Sequence, residues 1–499
     1  MVKQSGWMET MEELAQSNIH LLIIPTILIP LTIIGVGISV VATFVAGLFG
    51  IKLKSEGPKR LLELLLKPKF LLSALIFNGI IWGGIVAYQY VDDMPVFLTN
   101  IHKRNPGISS NLDNYTNVPE RPNRFKSEKI ASSFGSFVPA NSVKLEGGIF
   151  RAPAISGTSL FVGTTKGWVY ELERESLKEL RKFYVGTFVT PAPLIWNNHM
   201  VVGEGVHATH HARMYFYSLK TGKLAKHFET KGHTEGQATF ASFENQERLF
   251  VVAGGDGVYS IDPNTMEEKW HNVDGHVDGS VIVENDRVYV GTGREKGDSK
   301  KHRSYAVAYD FITGKTIWKR ELPASVWMKP TIADNHVCFV YGEVYFKSEI
   351  GGLQCFDKEK GVPTISHRML ASSVSIPLAL NDSVVFTDAT GNVCSLNTKS
   401  RQLDWCTQTH NPKTQLNYVP ISYDPYRNIL VYNSMKNGLY AIHPKTGKIE
   451  GHWLPKEEKW QRSFASALVA PEGWYISDMK GHLRLIRPGK TLLGSKIKN

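Results

Sequence analysis

The chain has 499 residues, of which 42% are hydrophobic and 21% charged, an ordinary balance for a globular protein able to bury a large core. Its formal net charge of +11 comes partly from one basic segment near the N-terminus and is otherwise scattered among interleaved Glu and Asp. No basic stripe with interleaved aromatics occurs, so a nucleic-acid partner is not expected.

In chain order, residues 1–20 hold Lys3 against Glu9, Glu12 and Glu13, which is not the basic head of a cleaved signal peptide. No lipobox cysteine follows either, because the first cysteine is Cys338. The segment is therefore expected to stay in the mature protein. Residues 21–51 carry no charge and 70–91 form a second such stretch, each long enough to cross a hydrocarbon layer of about 30 Å. Both are predicted transmembrane helices, forming an N-terminal two-helix hairpin. The loop between them, 52–69, carries Lys52, Lys54, Lys59, Arg60, Lys67 and Lys69 against only Glu56 and Glu63. The positive-inside bias puts this loop in the cytoplasm and both flanking regions on the other side.

The first helix repeats small residues at Gly35, Ser39, Thr43 and Gly47, and the second repeats them at Gly79, Gly83 and Ala87. Small residues at this spacing let another helix backbone approach closely, either the other arm of the hairpin or an integral membrane partner. Residues 92–127, with Pro106, Gly107, Pro119 and Pro122, read as an irregular linker or stalk.

From Gly167 onward a strand pattern recurs eight times: GWVYELE (167–173), MYFYSL (214–219), GVYSID (257–262), YAVAYD (305–310), GLQCFD (352–357), GNVCSLN (391–397), GLYAIH (438–443) and GHLRLIR (481–487). Self-similarity at roughly 40 to 48 residues is the length of one four-stranded propeller blade. Upstream of each copy lies a second strand such as SLFVGTT or RVYVGTG. Further upstream comes an inner one such as PAPLIW, and downstream a fourth that ends near Trp270, Trp318 or Trp405. The expected fold is all-β, an eight-bladed β-propeller over 128–499. Either 130–137 or the tail 491–497 would complete the last blade, with the N-terminal donor preferred.

The segment Ala308 to Trp318 reads A-Y-D-F-I-T-G-K-T-I-W and matches the docking motif of the pyrroloquinoline-quinone-type propeller repeat. The Asp and the Thr-Gly make the turn between third and fourth strands, and the Trp packs into the next blade. Asp262 with Trp270 and Asn397 with Trp405 keep the same offset. In fold the region resembles the propeller lipoprotein of the outer-membrane barrel assembly machine, which is also eight-bladed and binds no quinone. That resemblance implies a bacterial envelope protein, here placed by its two helices in the inner membrane with the propeller in the periplasm. The chain departs from that lipoprotein in having the helices.

One element repeats more closely than the fold demands. Gly232-His233-Thr234-Glu235-Gly236 and Gly275-His276-Val277-Asp278-Gly279 share one pattern at the start of the innermost strands of successive blades. Imidazole and carboxylate are ligands of zinc, manganese or iron, so His233, Glu235, His276 and Asp278 are candidate metal ligands. His207, in the Gly203-Glu204-Gly205-Val206-His207 stretch, is a fifth. The bland alternative is that these polar residues hold water and tie blades together. The three stretches resemble a subset of quinoprotein-like propellers with G-E-G-x-H, H-x-E and H-x-D in their second and third blades.

Quinoprotein dehydrogenases of this fold resemble one another in carrying adjacent cysteines above the cofactor, and no two cysteines here are adjacent. Pyrroloquinoline quinone is therefore not an expected cofactor, and a divalent metal is the one candidate. Cys338 with Cys355, and Cys394 with Cys406, are either cross-strand disulfides of an oxidising compartment or buried small hydrophobes. No G-x-S-x-G, H-E-x-x-H or phosphate-cradling glycine loop occurs, and no enzyme activity is expected. The functional expectation is a membrane-anchored periplasmic scaffold subunit of an envelope complex for assembly, transport, secretion or motility. It would bind an integral membrane protein through its helices and a periplasmic protein through propeller loops. The alternative is a metal- or small-ligand-binding propeller, a sensor or enzyme, with its site at the central channel.

Overall fold

The computed structural model describes residues 137–206, 209–294, 303–344, 350–369, 371–409, 417–435, 437–454 and 462–488. All belong to the second of the two units into which the chain divides, Met1–Met94 and Pro95–Asn499. The expected helices at 21–51 and 70–91, the basic loop, the linker 92–127 and the small-residue stripes lie outside the described residues. Among the described residues no helix is long and apolar enough to cross a membrane.

Among the described residues thirty-two strands form eight antiparallel sheets of four, an eight-bladed propeller as the repeats predicted. Blades 1 to 7 span 154–184, 194–229, 239–272, 282–322, 331–369, 378–408 and 422–453. Blade 8 is made of 468–487 plus the strand Val138–Lys144. The middle strands carry the repeat signal because both their faces are covered by neighbouring blades. In Ser304–Asp310 the residues Ala306, Val307, Ala308 and Tyr309 are all buried, and in Arg287–Gly291 so are Val288, Tyr289 and Val290. Outer strands keep one wet face, as in Thr316–Leu322, where Trp318 and Leu322 are buried and Ile317 is exposed.

The core is a ring of layers between blades. One such layer packs Tyr289, Ala306, Ala308 and Trp318 of blade 4 on Val337, Phe339 and Phe356 of blade 5. At the rim the docking motif works as its chemistry predicts. Asp310 Oδ1 accepts from the Thr313 backbone N–H at 2.7 Å and from its hydroxyl at 2.6 Å. The indole N–H of Trp318 donates to the Lys358 carbonyl of blade 5 at 3.1 Å. Trp270 donates likewise to Phe311 of blade 4 at 3.0 Å, and Trp405 to Pro444 of blade 7 at 3.0 Å. Each indole lies on the turn glycine of the next blade, Gly314, Gly361 or Gly447, where a Cβ would overlap the ring.

The N-terminal donor closes the ring. Val138 pairs with Arg487 and Lys144 with His482, with a bulge between Pro139 and Asn141. The strand therefore lies just after the 130–137 segment expected from sequence. Pro139 donates no ladder hydrogen bond, which suits the outer edge of a blade and disguises the strand in a sequence pattern.

Both cysteine pairs are disulfides between residues directly opposite on adjacent strands, Cys338–Cys355 in blade 5 and Cys394–Cys406 in blade 6, with Cα separations of 4.0 and 4.1 Å. Of the two readings left open by the sequence, the cross-strand disulfide is the one that holds.

Antiparallel alternation puts two kinds of connection on one side of the disc: those from second to third strand, and those from one blade to the next. On the opposite side, turns joining inner to second strands are tight, with Asn197, Asn198, Glu244, Asn245, Asn285 and Asn381 at positive φ, as two-residue hairpins require.

Candidate metal centre at the channel mouth

The two G-H-x-[E/D]-G elements do not lie inside inner strands. They occupy the blade-to-blade connections that precede Thr239–Phe243 and Ile282–Glu284, where the backbone is irregular and strict alternation does not set side-chain direction. What positions them is pairing between connections and turns. Val277 and Gly254 exchange backbone hydrogen bonds of 3.0 and 3.1 Å, and the Gly293 N–H donates to the His276 carbonyl at 2.7 Å. Thr234 Oγ1 accepts from the Glu204 N–H at 2.7 Å and donates to the Glu204 carbonyl at 3.0 Å.

These ties bring the predicted residues together. His233 Nε2 lies 2.9 Å and His276 Nε2 2.8 Å from the same atom, Asp278 Oδ1. The imidazole centroids are 5.2 Å apart. His233 Nε2 is 3.9 Å from Glu235 Oε1. All four side chains are buried, and the nitrogen and oxygen ligand atoms of His233, His276 and Asp278 lie within 4.8 Å of one another.

Burial first, then the charge of Asp278, push the Glu235 carboxyl up to about 7, against the pull of His233, Arg151 and His276. Two carboxylates in one dry place cannot both ionise cheaply without cations beside them. Arg151, in the connection leading into blade 1, is a cation facing them. Burial lowers its guanidinium below the ordinary value, opposed by Glu235 and Asp278.

Arg151, Gly254 and Trp327 were not singled out by sequence reasoning. Gly254 has φ +53°, and a Cβ there would overlap the His233 ring. Trp327, whose indole N–H donates to the Gly342 carbonyl at 2.9 Å, stands edge-on to His276 at 6.4 Å. Aligning the residues just ahead of each inner strand would have found Arg151 and Trp327. Gly254 carries no signal without the fold. Phe150, whose ring lies under the Arg151 guanidinium at 5.1 Å, stacks on Phe464 at 5.0 Å and stands edge-on to Phe188 at 6.0 Å.

Glu204 does not join the cluster. Its carboxylate accepts from Tyr215 Oη at 2.9 Å and Thr187 Oγ1 at 3.0 Å. His207 lies outside the described residues, while His210 lines with His233 a cavity of about 260 Å³ bounded also by Thr209, Lys231, Gly255 and Asp256. The cluster thus offers two imidazoles and one or two carboxylates beside an accessible cavity, a donor set suited to a divalent transition metal.

Residues 341–484 match the protein family described as Outer membrane protein assembly factor BamB. No curated protein matches the chain. In solved structures the chain is similar to BamB from Moraxella catarrhalis, at 14% identity and a TM-score of 0.54, over 70% of this chain and all of that one. A computationally designed protein, Ika8, is comparable at 13% identity and a TM-score of 0.56, over 70% of this chain and 99% of that one. A europium-containing methanol dehydrogenase is 12% identical over 57% of this chain and 72% of its own, at a TM-score of 0.43, too low to bear on chemistry. The BamB and designed structures share the fold alone, and the BamB family match covers blades 6 and 7 with parts of blades 5 and 8.

Proposed function

We propose that the protein is a membrane-anchored, periplasmic scaffold subunit of a bacterial envelope complex. The observation that carries this reading is the match of 341–484 to the BamB family on a fully closed eight-bladed disc. The Cys338–Cys355 and Cys394–Cys406 disulfides support it, since such bonds persist in oxidising compartments such as the periplasm. The charge-free stretches 21–51 and 70–91, with the basic loop between them, supply the anchor and the orientation.

In this reading the helices dock on an integral membrane protein through the Gly35, Ser39, Thr43 and Gly47 stripe. The disc offers a periplasmic protein the side that bears the second-to-third-strand and blade-to-blade connections. The test combines topology with association. A reporter fused within 52–69 reads as cytoplasmic and one after Asn499 as periplasmic. Leu at positions 35, 39, 43 and 47 removes a co-purifying membrane protein while the propeller's thermal transition is unchanged. Both reporters on one side of the membrane overturn the anchored hairpin, and undiminished co-purification overturns docking through the stripe.

A further inference from the structure

We propose that His233, His276 and Asp278, completed by Glu235, bind one divalent first-row transition-metal ion at the channel mouth, with zinc the best match. The inference is independent of the scaffold reading.

Four observations carry it. The donor set comes first: two imidazoles with carboxylates suit zinc, cobalt, manganese or iron, whereas calcium and magnesium take oxygen ligands. The second is convergence, because both Nε2 atoms address one carboxylate oxygen, at 2.9 and 2.8 Å. Ligands 2.0 to 2.1 Å from a tetrahedral ion are about 3.3 Å from one another. Small imidazole rotations that open these two contacts by about half an ångström therefore admit the ion, and Glu235 Oε1, 3.9 Å from His233 Nε2, is placed to close on it.

Third, atoms other than these side chains tie the backbone. Thr234 alone ties its connection to Glu204, and Val277 ties the next to Gly254 through main-chain atoms. In the connection before blade 6 a serine suffices for the equivalent tie, with Ser372 Oγ accepting from Glu343 N–H and donating to Glu343 C=O, each at 2.6 Å. The two histidines and two acids flank ties that Thr234 and the main chain of Val277 make.

Fourth is charge and access. Asp278 and Glu235 are both deprotonated as metal ligands, and Arg151 faces them from the connection into blade 1. His233 also borders a cavity of about 260 Å³ lined by Thr209, His210, Lys231 and Asp256.

The test uses the full-length, untagged protein, stripped with a chelator and titrated with Co²⁺ and then Zn²⁺. Expected are one Co²⁺ per chain with the visible absorption of a four- or five-coordinate ion, and its displacement by one Zn²⁺. H276Q and D278N each weaken uptake by more than about 100-fold, whereas H227Q, on an exposed strand, leaves it unchanged. Zinc-edge X-ray absorption of the unmutated protein shows imidazole scattering from two histidines, a result that does not depend on any variant folding. Failure to take up one ion per chain, uptake retained in both H276Q and D278N, or a zinc spectrum without imidazole scattering overturns the assignment.

Discussion

The rim and the channel mouth of this propeller treat repetition differently. At the rim, Trp270, Trp318 and Trp405 make the same contact, an indole hydrogen-bonded to the next blade and laid on its turn glycine. At the mouth the backbone ties repeat too, through Thr234 and Ser372, but among the described residues imidazole and carboxylate side chains gather ahead of blades 3 and 4. Arg151 meets them from the connection into blade 1. Where every blade has the same mechanical task, the chain repeats one solution. Departure from the repeat at buried positions marks something other than mechanics, because buried ionisable groups cost stability unless they are paired.

The largest effect expected from this contrast is at the rim. Trp318→Ala removes a side chain that is only 4% exposed and should cost about 3–5 kcal/mol in denaturant unfolding while leaving metal uptake at the mouth intact in the folded fraction. Loss of uptake by folded W318A would show that rim and mouth are one mechanical system. At the mouth, Thr234→Val keeps the shape but strands the Glu204 N–H, at a cost of about 1–3 kcal/mol, while the Glu204 carbonyl keeps the Thr234 backbone N–H. H276Q, whose side chain is outside the tie, should cost less than T234V in the metal-free protein. The reverse order would return the histidines to a structural role.

Gly254→Ala places a Cβ on the His233 ring at a left-handed backbone position. A stability loss of about 1–2 kcal/mol should come with a weaker metal site, read by the same Co²⁺ titration. The smallest effect concerns His367 on the outer strand Pro363–Met369. Burial beside Phe386 lowers its affinity for a proton, so the unfolded chain takes up the proton first as pH falls below about 6.5. Stability from this group is full above that pH and declines below it, and His367→Gln should flatten the decline in pH-dependent unfolding curves.

Much of the fold was written in the chain, for a definite reason. Middle strands such as Ser304–Asp310 are covered on both faces, so they appear as unbroken apolar runs. The Asp-Thr-Gly turn and its tryptophan carry their geometry in local chemistry. The acids and imidazoles of the candidate site were legible as residue types in a repeated pattern, and the small-residue stripes and charge-free spans were legible as spacing. The N-terminal donor that closes the ring was legible but its exact strand was not, because Pro139 and the bulge that follows break the alternation of Val138–Lys144. The disulfides were undecided because the pairing of Cys394 with Cys406 depends on register, which a bulge between Ser395 and Leu396 shifts. Above all, the chain did not say that His233 and His276 address one oxygen of Asp278, that Arg151 joins them, or that Gly254 makes room. Those contacts form between successive connections and across the closed ring, and no local period encodes a distance that exists only once the blades have stacked.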